Sequence, residues 1–212
     1  MRLLALTPIA VSDAEVVRRQ NRYDAIAPDG VVVVVRRPAS DLPRELGTEA
    51  DIRASDEALL AAYAAEPPEG WDGYLPDCVL DPAVHGAAML RRPIHGIGRL
   101  TMHALAGAGV SWRAVARNDA IAAELDRLAV QHGTATAGPT AVLSLTVEDI
   151  ADHDVWTKAL TAAVAPLGCD AVLNGCSAVD VAGGASGPVI VDPTVLALRI
   201  VAQVRGAGGG AV

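Results

Sequence analysis

Residues 31–35 read Val-Val-Val-Val-Val. An unbroken β-branched run of this kind offers no polar face to water, so it folds as a strand buried on both faces. The rest of the chain keeps a matching rhythm of strand and helix. "RLLAL" (2–6) reads as a first buried strand. It leads into "SDAEVVRRQNRYDAIA", where Ser12 is placed as N-cap and Glu15 completes a capping box. "ASDEALLAAYAA" (54–65) carries Leu59, Leu60 and Tyr63 at helical spacing, and Pro67-Pro68-Glu69-Gly70 then turns the chain toward a strand ending at Cys78. A helix is expected from Asp81-Pro82, since proline is tolerated at an early helical position.

The second half repeats this order. Strands are expected at 93–98, 111–116, 140–145, 170–175 and 187–192. The helices between them include "RLTMHALAGAG", "NDAIAAELDRLAVQHG" with Gly133 as its stop, "DHDVWTKALTAAVAPLG" and "PTVLALRIVAQV". Alternation of this kind specifies an α/β fold with parallel sheets, and the strand number suits two small doubly wound sheets. The glycine-rich stretches "VAGGASG" (181–187) and "RGAGGGAV" at the end of the chain do not follow a strand as a nucleotide loop would. The latter reads as a mobile tail.

Composition narrows the function. At 51% hydrophobic and 20% charged, the chain is globular rather than disordered. No apolar stretch reaches the roughly 18 to 20 residues of a membrane helix. The apolar start "MRLLAL" breaks at Thr7-Pro8, so it reads as a strand and not a signal peptide, and the expected location is cytoplasmic. A net charge of −8 argues against a nucleic-acid partner. The five histidines (His85, His95, His103, His132 and His153) are scattered, and neither Cys-x-x-Cys nor zinc spacing is present, so no metal site is expected. Lys158 is the one lysine and sits on a presumed exposed helix face, which disfavours pyridoxal chemistry.

Two of the three cysteines stand at matching points in the two halves. Cys78, in "PDCVLDPAV", and Cys176, in "AVLNGCSAV", each end an apolar run. The carboxyl end of a parallel strand is where open α/β sheets bind ligands, and a following helix N-terminus would lower a thiol pKa there. One thiol on each side of a small substrate is what a cofactor-independent racemase needs: one removes a proton from carbon and the other returns one to the opposite face. Taken alone, a cysteine is more often a small core hydrophobe, and Cys169 is read that way.

Four segments carry a family resemblance. "DCVLDPAV", "PIHGIGRLTMHALAGAG", "CDAVLNGCSAV" and "GPVIVDPTVLALRIV" resemble, in order, motifs of the aspartate/glutamate/hydantoin racemase superfamily. The resemblance implies two similar doubly wound lobes related by a pseudo-twofold axis, with the site in the cleft between them. On that reading residues 1–92 plus 193–212 form one lobe, and 93–192 the other. It further implies Cys78 and Cys176 as the acid/base pair, a small-molecule substrate, no cofactor and a homo-oligomer. Val79, Leu80, Ser177, Ala178 and Thr7 would then contact the substrate. Amino-acid racemases of this superfamily usually carry Asn-Thr after the first cysteine and Thr after the second. Here Val79-Leu80 and Ser177-Ala178 stand there, which leans toward the hydantoin branch and a less polar pocket. Thr7-Pro8-Ile9, Arg99 and Ala116-Arg117 also depart from the family pattern. A cis–trans isomerase or decarboxylase of the same superfamily, or a binding protein that lost the chemistry, stays open beside the racemase. His85, His103, Trp71 and Tyr74 are read as packing or surface residues, while Asp81 and Asp192 are read as helix caps.

Overall fold

In a computed structural model that describes residues 1–151, 153–181 and 187–206, the chain forms two parallel sheets. Most of the glycine-rich 181–187 stretch and of the terminal "RGAGGGAV" lies outside the described residues. The first sheet holds β1 (Arg2–Leu6), β2 (Val32–Arg36) and β3 (Gly73–Tyr74) in the order β2-β1-β3. A single parallel bridge from Ile94 to Tyr74 adds a fourth position beyond β3. The second sheet holds β4 (Trp112–Ala116), β5 (Ala141–Val142), β6 (Ala171–Asn174) and β7 (Val189–Val191) in the order β5-β4-β6-β7. Across each sheet the strands therefore run second, first, third, fourth. The halves of the chain share one plan.

Among the described residues, six α-helices cover these sheets: α1 (Asp13–Ile26), α2 (Glu49–Ala65), α3 (Ile97–Gly107), α4 (Asp119–Gln131), α5 (His153–Val164) and α6 (Pro193–Gly206). Helix α6 follows the second sheet yet buries Ala197, Leu198 and Val201 beneath the first, against Leu3, Ala5 and Val33. Helix α3 does the converse with Met102 and Leu105, which join the second-sheet core of Trp112, Ala114 and Leu125. Burying a leucine or valine side chain contributes about 1.5–3 kcal/mol, so this exchange of helices ties the two halves together. Among the described residues, no helix is long and apolar enough to cross a membrane.

Several local expectations are corrected. The valine run is an edge strand buried fully on one face only: Val31, Val33 and Val35 enter the core, while Val32 on the opposite face is 54% exposed. Ser12 accepts from the Glu15 N–H, but the Glu15 carboxylate turns to Arg18 and Arg19 instead of closing a capping box. The full box belongs to α2, where Thr48 and Asp51 bond reciprocally and start the helix earlier than the Leu59-Leu60-Tyr63 spacing shows. Of the strand expected at 93–98, Ile94 alone pairs, and Gly96 already caps α3. The strand at 140–145 shrinks to Ala141–Val142, with Ser144 at φ 56° just beyond.

Candidate active site

Each cysteine lies in the loop after the third strand of its sheet. In the first lobe, Leu75 and Asp77 still donate to Leu4 and Leu6 of β1, but Pro76 has no N–H to give, and the regular ladder stops at Tyr74. Cys78 therefore sits just past the carboxyl edge of the sheet, in an irregular loop. No α-helix begins at Asp81-Pro82. Asp81 and Ala83 take left-handed backbone angles, φ 55° and 69°, and only a 3-10 turn follows, at Val84–Met89. Non-glycine residues hold such angles at a cost of order 1–3 kcal/mol each, so the fold invests strain in shaping the Cys78 loop.

Asp81 does cap a helix, though not its own. Its carboxylate accepts from the Gly98 N–H at 2.8 Å and from the Arg99 N–H at the start of α3. Burial pushes this carboxyl up to about 7, against the backbone donors that hold it down. Here the Gly-Ile-Gly segment finds its physical reason. A Cβ on Gly96 would lie 2.6 Å from the Asp81 carboxylate, and one on Gly98 would lie 2.1 Å from the Val79 carbonyl oxygen. Both glycines are spaces into which the Cys78 loop fits. The second lobe repeats the device: a Cβ on Gly175, beside Cys176, would lie 2.1 Å from the Val115 carbonyl oxygen.

The two loops meet at one cavity of about 60 Å³, whose wall includes Cys78, Val79, Leu80, Cys176, Ser177 and Ala178. Both cysteines thus line the same space, and a charge on Cys176 bears on Cys78. Thr7 is not part of that wall; it is fully buried, and its neighbours Pro8 and Ile9 line the cavity instead. Cys169 is not part of that wall; its thiol donates to the Ala171 carbonyl. A larger cavity of about 550 Å³ adjoins and shares Leu46, Cys78 and Leu80 with the smaller one. Its volume is in the range of small-molecule sites.

The sequence reading missed what holds these loops. Asp77, buried beside Cys78, receives Arg19 Nη1 at 2.6 Å and the Tyr23 hydroxyl at 2.9 Å. Its backbone carbonyl accepts from Ser177 Oγ at 3.1 Å, so one residue links both cysteine loops. Helix α1 supplies two more clasps to the Cys176 loop: Arg18 donates to the Ala178 carbonyl and Arg22 to the Val179 carbonyl, each at 2.9 Å. Arg22 also pairs with Asp192, which caps α6 through the Thr194 and Val195 N–H groups. The available signal was the i, i+4 spacing of Arg18 and Arg22 on one helix face.

The electrostatics differ from the expected helix-lowered thiols. Burial pushes Cys78 up to about 12, with Asp77 and Asp81 adding to the rise and the Leu80 backbone opposing it. Burial also raises Cys176, but there the Ala178 backbone and the Arg19 and Arg22 guanidiniums pull down. The residues read as packing groups do pack. Trp71 lies under the Arg2 and Arg36 guanidiniums, and Tyr74 stacks on Tyr63 with ring centroids 4.7 Å apart. His85 sits 3.4 Å from Asp56 at the larger cavity, and His103 lies against His132.

No protein-family model matches the chain, and no curated protein sequence is similar to it. Solved structures are. Allantoin racemase from Pseudomonas fluorescens superposes with a TM-score of 0.80 at 14% identity, covering 98% of this chain and 92% of that one. Allantoin racemase from Klebsiella pneumoniae gives 0.78 at 18% identity, with 98% and 89% covered. The maleate isomerase Iso from Pseudomonas putida S16 gives 0.67 at 12% identity, with 97% and 93% covered. With two like-ordered parallel sheets and one cysteine loop from each, the chain has the two-lobed fold of these racemases and of the isomerase.

Proposed function

We propose that the protein is a cofactor-independent racemase, inverting a carbon next to a carbonyl, with Cys78 and Cys176 as its paired acid and base. The observation that carries this is the common cavity: two cysteines from equivalent loops of two like lobes line one small space. A thiolate on one side takes the proton from the carbon; the C–H electron pair forms a C=C bond and the carbonyl π pair moves onto oxygen. The thiol on the other side then protonates the carbon, which inverts it and leaves the two sulfurs with exchanged protonation. A buried thiol with a raised pKa is a stronger base once ionised, as a weakly acidic C–H requires. The apolar Val79-Leu80 after Cys78, and the likeness to two allantoin racemases, support a 5-substituted hydantoin or a related amino-acid derivative as substrate. The larger cavity, which shares Leu46, Cys78 and Leu80 with the smaller one, is the approach.

The test is proton exchange. Protein in deuterated buffer is given each enantiomer of allantoin, 5-methylhydantoin, 5-benzylhydantoin, aspartate and glutamate. Deuterium at the stereocentre, together with loss of optical rotation, is expected for at least one hydantoin. Exchange with none of them would end the racemase reading.

The unequal surroundings of the two thiols also give an order of reaction. Cys176, drawn down by two arginines, is expected to be alkylated by iodoacetamide before Cys78 at pH 8, because the thiolate is the reactive form. The Cys78 rate should keep climbing through pH 10 without a plateau, since its ionisation lies near 12. Peptide mass mapping over time reads both. Faster labelling of Cys78 would contradict this assignment.

A further inference from the structure

Arg117 is a buried cation in the wall of the two-thiol cavity whose hydrogen-bonding capacity is mostly unspent. It is the first residue beyond β4, the strand that lies between β5 and β6 in the second sheet. Its backbone is fixed on both sides. The Leu145 N–H donates to the Arg117 carbonyl at 3.0 Å, and Asn118 caps α4 while its side-chain amide donates to the Leu46 carbonyl at 2.9 Å. The side chain is 6% exposed and has one carboxylate near it, Glu45 at 3.3 Å, itself half exposed. Both of its hydrogen bonds leave from Nη1, to Glu45 and to the Leu145 carbonyl at 3.4 Å, and both are long for a guanidinium. Among the described residues, Nε and Nη2 donate to nothing. Arg19, the other arginine in that wall, is already committed to Asp77 and Glu15.

A nearly buried guanidinium in the wall of a small cavity, with donors to spare, is a prepared receptor for negative charge. We propose that Arg117 is a catalytic residue: it binds the oxygen of the carbonyl next to the reacting carbon and stabilises the enolate formed when a cysteine removes the proton. The proposal rests on the racemase reading for its reaction and adds a third group to the two thiols. As the C–H bond breaks, its electron pair forms the C=C bond, the carbonyl π pair moves to oxygen, and Arg117 meets that oxygen. When the opposite thiol delivers its proton to carbon, the carbonyl re-forms. Arg117 keeps its own protons throughout, and nothing is consumed.

Two measurements test it, and the first needs no turnover. Barbiturate is a planar cyclic ureide already present as its enolate anion at neutral pH, whereas uracil has a similar ring and is neutral. Calorimetry on the intact protein is expected to show barbiturate binding about tenfold or more tighter than uracil, as charge-assisted hydrogen bonds imply. Arg117→Met should abolish that preference and Arg117→Lys should keep part of it. A wild type without the preference, or an Arg117→Met variant that retains it, overturns the proposal. The second measurement is exchange with whichever compound the wild type turns over: kcat for Arg117→Met should fall about 100-fold, the scale of a lost oxyanion donor, with KM little changed. A rise in KM at constant kcat would make Arg117 a ground-state anchor and overturn the enolate role. Should Arg117→Met not fold by circular dichroism, Arg117→Lys and the wild-type preference decide. A wild type that prefers barbiturate but exchanges no proton would sink the racemase reading and leave the anion site standing.

Discussion

Replacing either Cys78 or Cys176 with serine is expected to abolish racemisation, by about 1000-fold or more, within the scale of a general acid–base group. A hydroxyl fills nearly the same volume but gives neither a thiol's acidity nor a thiolate's basicity at working pH. The two losses should be similar, because inversion needs both sides of the carbon in every turnover. What survives should be one-sided. Cys78→Ser keeps the base on the Cys176 side and should still exchange the proton of one enantiomer with retention, and Cys176→Ser that of the other. Cys169→Ser should stay near wild type, since that residue is not part of the shared cavity's wall. Chiral chromatography with mass detection reads all three variants. Full racemisation by either active-site variant would refute the paired mechanism.

A comparable effect is expected from a single methyl group far from either sulfur in sequence. Gly98→Ala places a Cβ where the Val79 carbonyl oxygen stands, 2.1 Å away, and the obstacle is backbone that has no rotamer to adopt. Either α3 backs away from the first sheet or the Cys78 loop moves. The stability cost is that of an overpacked core, about 1–3 kcal/mol, which for a chain of this size lowers Tm by about 2–12 °C. Activity should suffer further, since a shift of about 1 Å in a catalytic group can cost about 100-fold. Gly107→Ala is the control: it sits at the end of the same helix with nothing within 4 Å of a new Cβ. Calorimetric scans and exchange rates on both variants check this. A Gly98→Ala protein with wild-type Tm and wild-type exchange would mean that the loop does not press on the helix as described.

The parts of this fold visible in the sequence are those written in local periodicity. "RLLAL", "SWRAVA" and "DAVLNG" are strands because continuous apolar runs flanked by turns have no other stable use, and they form at or within a residue of those bounds. The matched cysteines were legible because the halves repeat one plan, so that a loop in one predicts a loop in the other. The short pieces were not. β3 stops where Pro76 breaks the ladder, and the left-handed angles at Asp81 and Ala83 replace an expected helix with a turn. Neither event leaves a periodic trace. The site's support was equally hidden, because Arg19 and Tyr23 meet Asp77 only after α1 docks more than 50 residues away. Charged residues on a helix read as a solvated face, and the i, i+4 spacing of Arg18 and Arg22 does not by itself tell which loop that face meets. Arg117 was visible as a departure from a family pattern, while its unspent donors became visible only in three dimensions.

The two-thiol mechanism is tested most directly by the first turnover in deuterated water. A single enantiomer is supplied at high concentration, and the reaction is stopped within the first few per cent of conversion. If Cys78 and Cys176 act on one carbon from opposite sides, the new enantiomer carries deuterium delivered by the second thiol. The recovered starting enantiomer should carry almost none, because the first thiol holds the proton it removed. Deuterium appearing equally in both enantiomers from the outset, or product that retains its original proton, would show one base working both faces and would contradict the paired cysteines.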